Sequence, residues 1–171
     1  FLFAILLVAF IGLVIYRLPH AFEQAKTEKV VDQIHAQRLS MNDVDGKHLP
    51  PPPDPNLVDA TVDGIDANQN GIRDDVELAI FAKYPTSTKI RAAELQYAME
   101  LQTGLATVFN SDSWKASAYE EDRGYQCILE KFPKDNIGVF IKLTTGYINE
   151  LEHQQFNTED RIAKRKEVIA Y

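Results

Sequence analysis

The sequence predicts an all-α architecture, and three observations carry that expectation. Residues 1–16, FLFAILLVAFIGLVIY, form an apolar run without a single charge. From about Asp75 onward apolar residues recur at three- and four-residue intervals, and no stretch keeps the two-residue alternation of a strand. Between these regions lies an interval rich in Asp, Gly and Pro that punctuates the chain. The expected order is an N-terminal transmembrane helix, a stalk helix, a proline-rich strap, and a loop leading into a small four- to five-helix bundle. Boundaries are placed at 1–18 for the anchor, 19–41 for the stalk, 42–62 for the extended linker and 63–171 for the head.

As a helix the sixteen-residue run spans about 24 Å. That is short of the roughly 30 Å hydrocarbon core of a bilayer, and Leu18 and Phe22 extend it. No small-x-small cleavage pattern follows Tyr16, which favours a retained anchor over a removed signal peptide. Phe1 to Phe22 are therefore expected to meet the lipid bilayer and other membrane-protein subunits. Gly12 is the point where a neighbouring helix can approach closely. Pro19 starts or kinks the stalk, which runs to about Ser40 with Phe22, Ala25, Val30, Val31, Ile34 and Leu39 as a loose apolar stripe.

Asp43 to Pro55, including Pro50 to Pro53, is read as non-helical, an extended polyproline spacer or strap. A helix from about Asp75 stops at Tyr84 before Pro85, and Thr86 or Ser87 caps the next one to about Asn110. Its buried face is expected at Ile90, Ala93, Tyr97, Leu101, Leu105 and Val108. A third helix, capped by Asp112 or Ser113, reaches Phe132 before Pro133, with Trp114, Tyr119, Ile128 and Leu129 apolar. The fourth runs from about Asn136 to Phe156 with Ile137, Phe140, Leu143, Tyr147, Ile148 and Leu151, and Thr158 opens the last.

The most constrained spacing lies in residues 66–77: Asp66-Ala-Asn68-Gln-Asn70-Gly71-Ile72-Arg73-Asp74-Asp75-Val76-Glu77. Side-chain oxygens fall at relative positions 1, 3, 5, 9 and 12, and glycine at position 6 supplies the turn. Such alternation lets Asp66, Asn68 and Asn70 converge, with the Ile72 carbonyl, Asp74 and a Glu77 that can chelate through both oxygens. Six to eight hard oxygens in a flexible shell are what Ca2+ takes. Asp74 is also expected to cap the helix opening at Asp75.

These twelve residues resemble the EF-hand loop and, more closely, the loop-plus-one-helix variants of dockerin modules and thrombospondin type 3 repeats. The resemblance implies one structural calcium ion. Arg73 at position 8 replaces the aliphatic residue through which paired EF-hands join, so a lone site is expected. Three carboxylates and two neutral asparagines suit modest affinity and the calcium-rich side of a membrane, periplasmic or extracellular. A Phe at position 1 before a long apolar helix also resembles mature type IV pilins, although Ile5 stands where those proteins carry a glutamate.

A net charge of -7 without aromatic-basic interleaving excludes a nucleic-acid partner from the reading. The single Cys127 has no internal disulfide partner and is read as a buried thiol. His20, His35, His48 and His153 lack the close pairing of a zinc site. Glu120, Glu121, Asp122, Glu150 and Glu152 read as solvated helix faces, and Arg161, Lys164, Arg165 and Lys166 as an exposed basic face. No nucleophile motif or phosphate loop is present. The expectation is a non-catalytic, membrane-anchored, calcium-binding accessory or interaction subunit of a bacterial-type envelope complex, with a pilin-like filament subunit as the alternative.

Overall fold

The computed structural model describes residues 2–171, without the side chains of Leu2, Ala4 and Val8. Phe1, the first residue of the expected anchor, lies outside the described residues. Seven helices and no strand form among them: α1 (Leu2–Ala36), α2 (Met41–Asp45), α3 (Asp74–Lys83), α4 (Thr88–Thr107), α5 (Ser111–Leu129), α6 (Ile137–Gln155) and α7 (Glu159–Ile169).

Helix α1 is a single element about 52 Å long. Pro19 lies inside it, so anchor and stalk run on without a break there. It is the one helix among the described residues long and apolar enough to cross a membrane, and none of its apolar window is buried within the molecule. Only its last third meets the head. Ile34 is buried, the Lys26 ammonium sits 4.1 Å over the Phe109 ring, and Asn110 Nδ2 donates to Thr27 Oγ1 at 2.8 Å. His35 Nδ1 lies 2.7 Å from Glu120 Oε1. Glu120 is 2% exposed and also pairs with Arg123 and Arg38, so it is an anchor point for α1 rather than part of a solvated face.

Every other helix touches α4, which explains why its sequence shows more than one buried face. Ala93, Leu95, Tyr97, Ala98, Met99, Leu101 and Leu105 are all buried. Each large aliphatic side chain of this kind contributes roughly 1.5–3 kcal/mol on leaving water. Glu94 and Glu100 are buried with them, each leaving one carboxylate oxygen without a partner. Burial pushes both up to about 7, against the opposing pull of Lys83 on Glu94 and of the Gln96 amide on Glu100. A neutral carboxylic acid is the form this interior accepts.

Helix ends follow local chemistry. Asn110 caps α5 by accepting from Ser113 N, so the cap falls two or three residues before the expected Asp112 or Ser113. Ser87, Asn136 and Thr158 precede α4, α6 and α7 as expected. Two readings change, one in the connecting segment and one on α7. Asp43 to Asp45 belong to the short α2, whose Val44 enters the core, because the Arg91 guanidinium donates to the Val44 carbonyl and holds it there. Arg161, expected on an exposed basic face, is fully buried. Its guanidinium donates to the carbonyls of Val58, Thr61 and Val62 and to Asp59 and Asn157. Arg165 beside it is half-buried and forks onto both oxygens of Glu121. On α6 the apolar stripe is fully buried only from Thr144 onward; Phe140 is half-buried and Ile137, Val139, Ile141 and Leu143 stay exposed.

Two outcomes follow from these burials. Arg161→Met should lower urea-measured stability by about 3 kcal/mol, because three carbonyls lose their donor, and Arg161→Lys should not restore it. For Glu94 and Glu100 the folded pKa of about 7 lies above the ordinary 4.5, so the folded state holds these protons more tightly. Their contribution is most favourable below pH 4.5 and is lost as pH rises toward 7. In chelator, the variant carrying Glu94→Gln and Glu100→Gln should therefore gain on wild type across that interval and exceed it at pH 8. Parallel stability profiles for the two proteins would contradict the neutral-acid assignment.

Candidate metal centre

The loop at 66–77 is shaped by hydrogen bonds from its first carboxylate. Asp66 Oδ2 accepts from Gly71 N at 2.9 Å and Oδ1 from Asn70 N at 3.2 Å, drawing the chain back over itself. The reversal needs left-handed backbone at two positions. Gln69 has φ of 56° and Gly71 φ of 83°. Asn70 Oδ1 then accepts from Ile72 N at 2.9 Å, and Asp74 N donates to the Ile65 carbonyl at 2.8 Å, closing the loop at its base. Ile72 is fully buried in the core, so its side chain fixes the position of the backbone at relative position 7.

Helix α3 begins one residue earlier than expected, with Arg73 at the cap position. Asp74 does not cap it. Its Oδ1 turns back to accept from Ala67 N at 3.0 Å, and its Oδ2 is buried without a partner. Glu77 is 1% exposed, and its carboxylate accepts from Asn68 Nδ2 at 3.1 Å. Burial pushes the Glu77 carboxyl up to about 7, and the charges of Asp74 and Asp43 add to the rise. Burial likewise raises Asp74, with Asp66 and Asp75 adding to it. The Asn70 amide nitrogen is a further buried group with no partner.

The loop thus brings the six positions Asp66, Asn68, Asn70, Ile72, Asp74 and Glu77 together on one turn. Among the described residues, no group of three or more His, Cys, Asp and Glu side chains is arranged to hold a metal as it stands. Asp66 and Asp74 are turned onto loop N–H groups, and the Asn68 amide occupies Glu77. Three carboxylates gathered in a partly dry turn without a salt-bridge partner among the described residues are costly, and Asp74 Oδ2 is left without a hydrogen-bond partner. The donor chemistry, all oxygen, fits a hard divalent ion.

Arg73, at relative position 8, has a different task. It is fully buried, and its guanidinium chelates Asp75 through Nε at 2.6 Å and Nη2 at 2.8 Å. The same group donates to the carbonyls of Gln154 and Gln155 at 2.8 and 3.0 Å. Those are orphan acceptors at the negative end of α6. Sequence spacing singled out the loop but missed this role. Arg161 did leave a signal, since it shares a helical stripe with Arg165 and buried Val168 at intervals of four and three residues.

Compared with protein-family models, with curated proteins and with solved structures, the chain matches none. What the geometry defines is a helical bundle joined to one long, membrane-competent helix, with an oxygen-rich loop at the start of α3.

Gly71→Ala tests the loop directly. A Cβ there would strike the Gln37 amide nitrogen, and the left-handed φ alone costs an alanine about 1–2 kcal/mol. The expected result is a stability loss of at least that size in calcium-free urea titrations, larger than for Gly146→Ala, where a Cβ would meet nothing within 4 Å.

Proposed function

We propose that the protein is a membrane-anchored, calcium-stabilised accessory or interaction subunit of an envelope complex, without catalytic chemistry of its own. The observation that carries the calcium reading is the pair of nearly fully buried carboxylates, Asp74 and Glu77, which form no salt bridge among the described residues and lie in a loop with EF-hand spacing. Calcium bound through Asp66, Asn68, Asn70, the Ile72 carbonyl, Asp74 and Glu77 neutralises them, with Asn68 giving up its contact to Glu77. The anchor reading rests on α1, whose apolar part projects from the head uncovered by any described residue. Calcium abundance puts the head on the periplasmic or extracellular side. The partners on this reading are the bilayer and the membrane subunits packed around residues 1–22.

One observation favours the filament alternative: α1 runs unbroken from an apolar N-terminal half into a C-terminal third packed on the head. That suits an assembly helix as well as an anchor. Against it, the described residues carry no strand, whereas a pilin head is expected to carry an antiparallel sheet.

Full-length protein in detergent should melt higher in calcium than in chelator. At one hundred times the dissociation constant the gain is about 2.7 kcal/mol, or roughly 5–10 °C. Magnesium should give far less, because it demands a tighter octahedral shell. Asp66→Ala with Glu77→Ala should remove the calcium shift, and coincident wild-type curves in calcium and chelator would reject the metal. The chain should also stay with membranes after carbonate extraction. Recovery in sheared extracellular filaments would promote the alternative.

A further inference from the structure

The end of the membrane helix is built onto the loop. One residue past α1, Gln37 lays its amide nitrogen against the Cα of Gly71, filling the space a Cβ would need. The same amide accepts from Thr103 Oγ1 at 2.5 Å, which ties it to α4. Gly71 is in turn the residue whose N–H donates to Asp66, the first oxygen ligand of the loop. A cleft of about 210 Å³ lies at this junction, lined by Gln37, Asp66, Gly71 and Thr103 among others. On the far side of the loop, the chain after Gln37 returns as α2, and its Asp43 carboxylate bears on Glu77. The segment after α1 therefore touches the loop at Gly71, through Gln37.

A loop drawn around a cation presents one fixed surface to Gln37. Without an ion, Asp66, Asp74 and Glu77 repel one another, which weakens the loop surface on which the Gln37 amide packs. Elsewhere α1 is held to the head by the buried Ile34, the Lys26–Phe109 and His35–Glu120 contacts and the Thr27–Asn110 bond. We propose that calcium in the loop regulates how firmly the membrane helix is held to the head, through the contact of Gln37 with Gly71. This rests on the calcium reading above and adds a direction to it. An ion shifts this equilibrium only by its differential affinity for the docked and undocked states, and docking raises calcium affinity by the same factor.

The test uses full-length protein in detergent micelles with calcium chloride as the probe. Calorimetric titration reports binding, and backbone hydrogen exchange over residues 28–37 reports docking, with α4 as the internal reference. The expected result is binding heat together with exchange over 28–37 slowed about tenfold by calcium. In Gln37→Ala, calcium should bind several-fold more weakly, and the slowing over 28–37 should disappear while that of α4 persists. Binding heat with unchanged exchange over 28–37 overturns the coupling and leaves the calcium site standing. Slowing that survives in Gln37→Ala overturns it as well. Absence of heat in the wild type overturns the site and the coupling together.

Discussion

Two buried guanidinium groups hold the irregular segment between α2 and α3 in place. Residues 46–73 contain no helix or strand, so their backbone carbonyls and N–H groups have no ladder to join. Arg161 from α7 satisfies three of those carbonyls, and Arg73 at the end of the segment reaches back to the last turn of α6. The two meet across Gly64, where a Cβ would run into the Arg73 stem and lie 3.0 Å from an Arg161 nitrogen; Gly64 also has φ of 69°. A planar fork with five donors can serve several carbonyls at once, which a lysine cannot. Burying two such cations is tolerable because Asp59 and Asp75 pair with them and the remaining N–H groups find oxygens.

The same packing carries an opposite strain at α4. Contact with all six other helices leaves that helix little solvent face, yet Glu94 and Glu100 sit within it. Apolar neighbours stabilise the bundle, and the two acids subtract from that stability once the solution demands their ionisation. The loop at 66–77 gathers a third such acid, Glu77, but differs in kind. There the carboxylates lie on one turn with amide and carbonyl oxygens, an arrangement an ion can relieve, whereas Glu94 and Glu100 stand apart on a helix.

Position gives the loop its reach. Ile72, Val76 and Ile80 root it in the core, Arg73 ties it to α6, and Gln37 brings the end of α1 against Gly71. The loop thereby borders both the core and the end of α1. The exposed apolar start of α6 lies toward the opposite end from the apolar part of α1, because Thr27 meets the start of α5 and α6 follows the end of α5.

Much of the fold was legible in the amino-acid sequence. The apolar run at the N-terminus, the three- and four-residue periodicity after Asp75, the Pro and Gly punctuation and the caps at Asn136 and Thr158 are local properties, and local geometry determined them. The spacing of Asp66, Asn68, Asn70, Ile72, Asp74 and Glu77 was legible for the same reason, since a tight loop is set by residues within hydrogen-bond reach along the chain. Only the tertiary structure decided which charges are buried. Arg161 and Lys166 look alike in sequence, but one meets carbonyls a hundred residues away and the other meets solvent. Glu120 lies beside Glu121 in the chain, yet His35, Arg38 and Arg123 enclose only the former. The coil of Met41–Asp45 into a helix against Arg91 was decided in the same way. In each case the deciding partner is remote in sequence, and the free energy of pairing a buried charge or carbonyl exceeds any local preference of the residue that carries it.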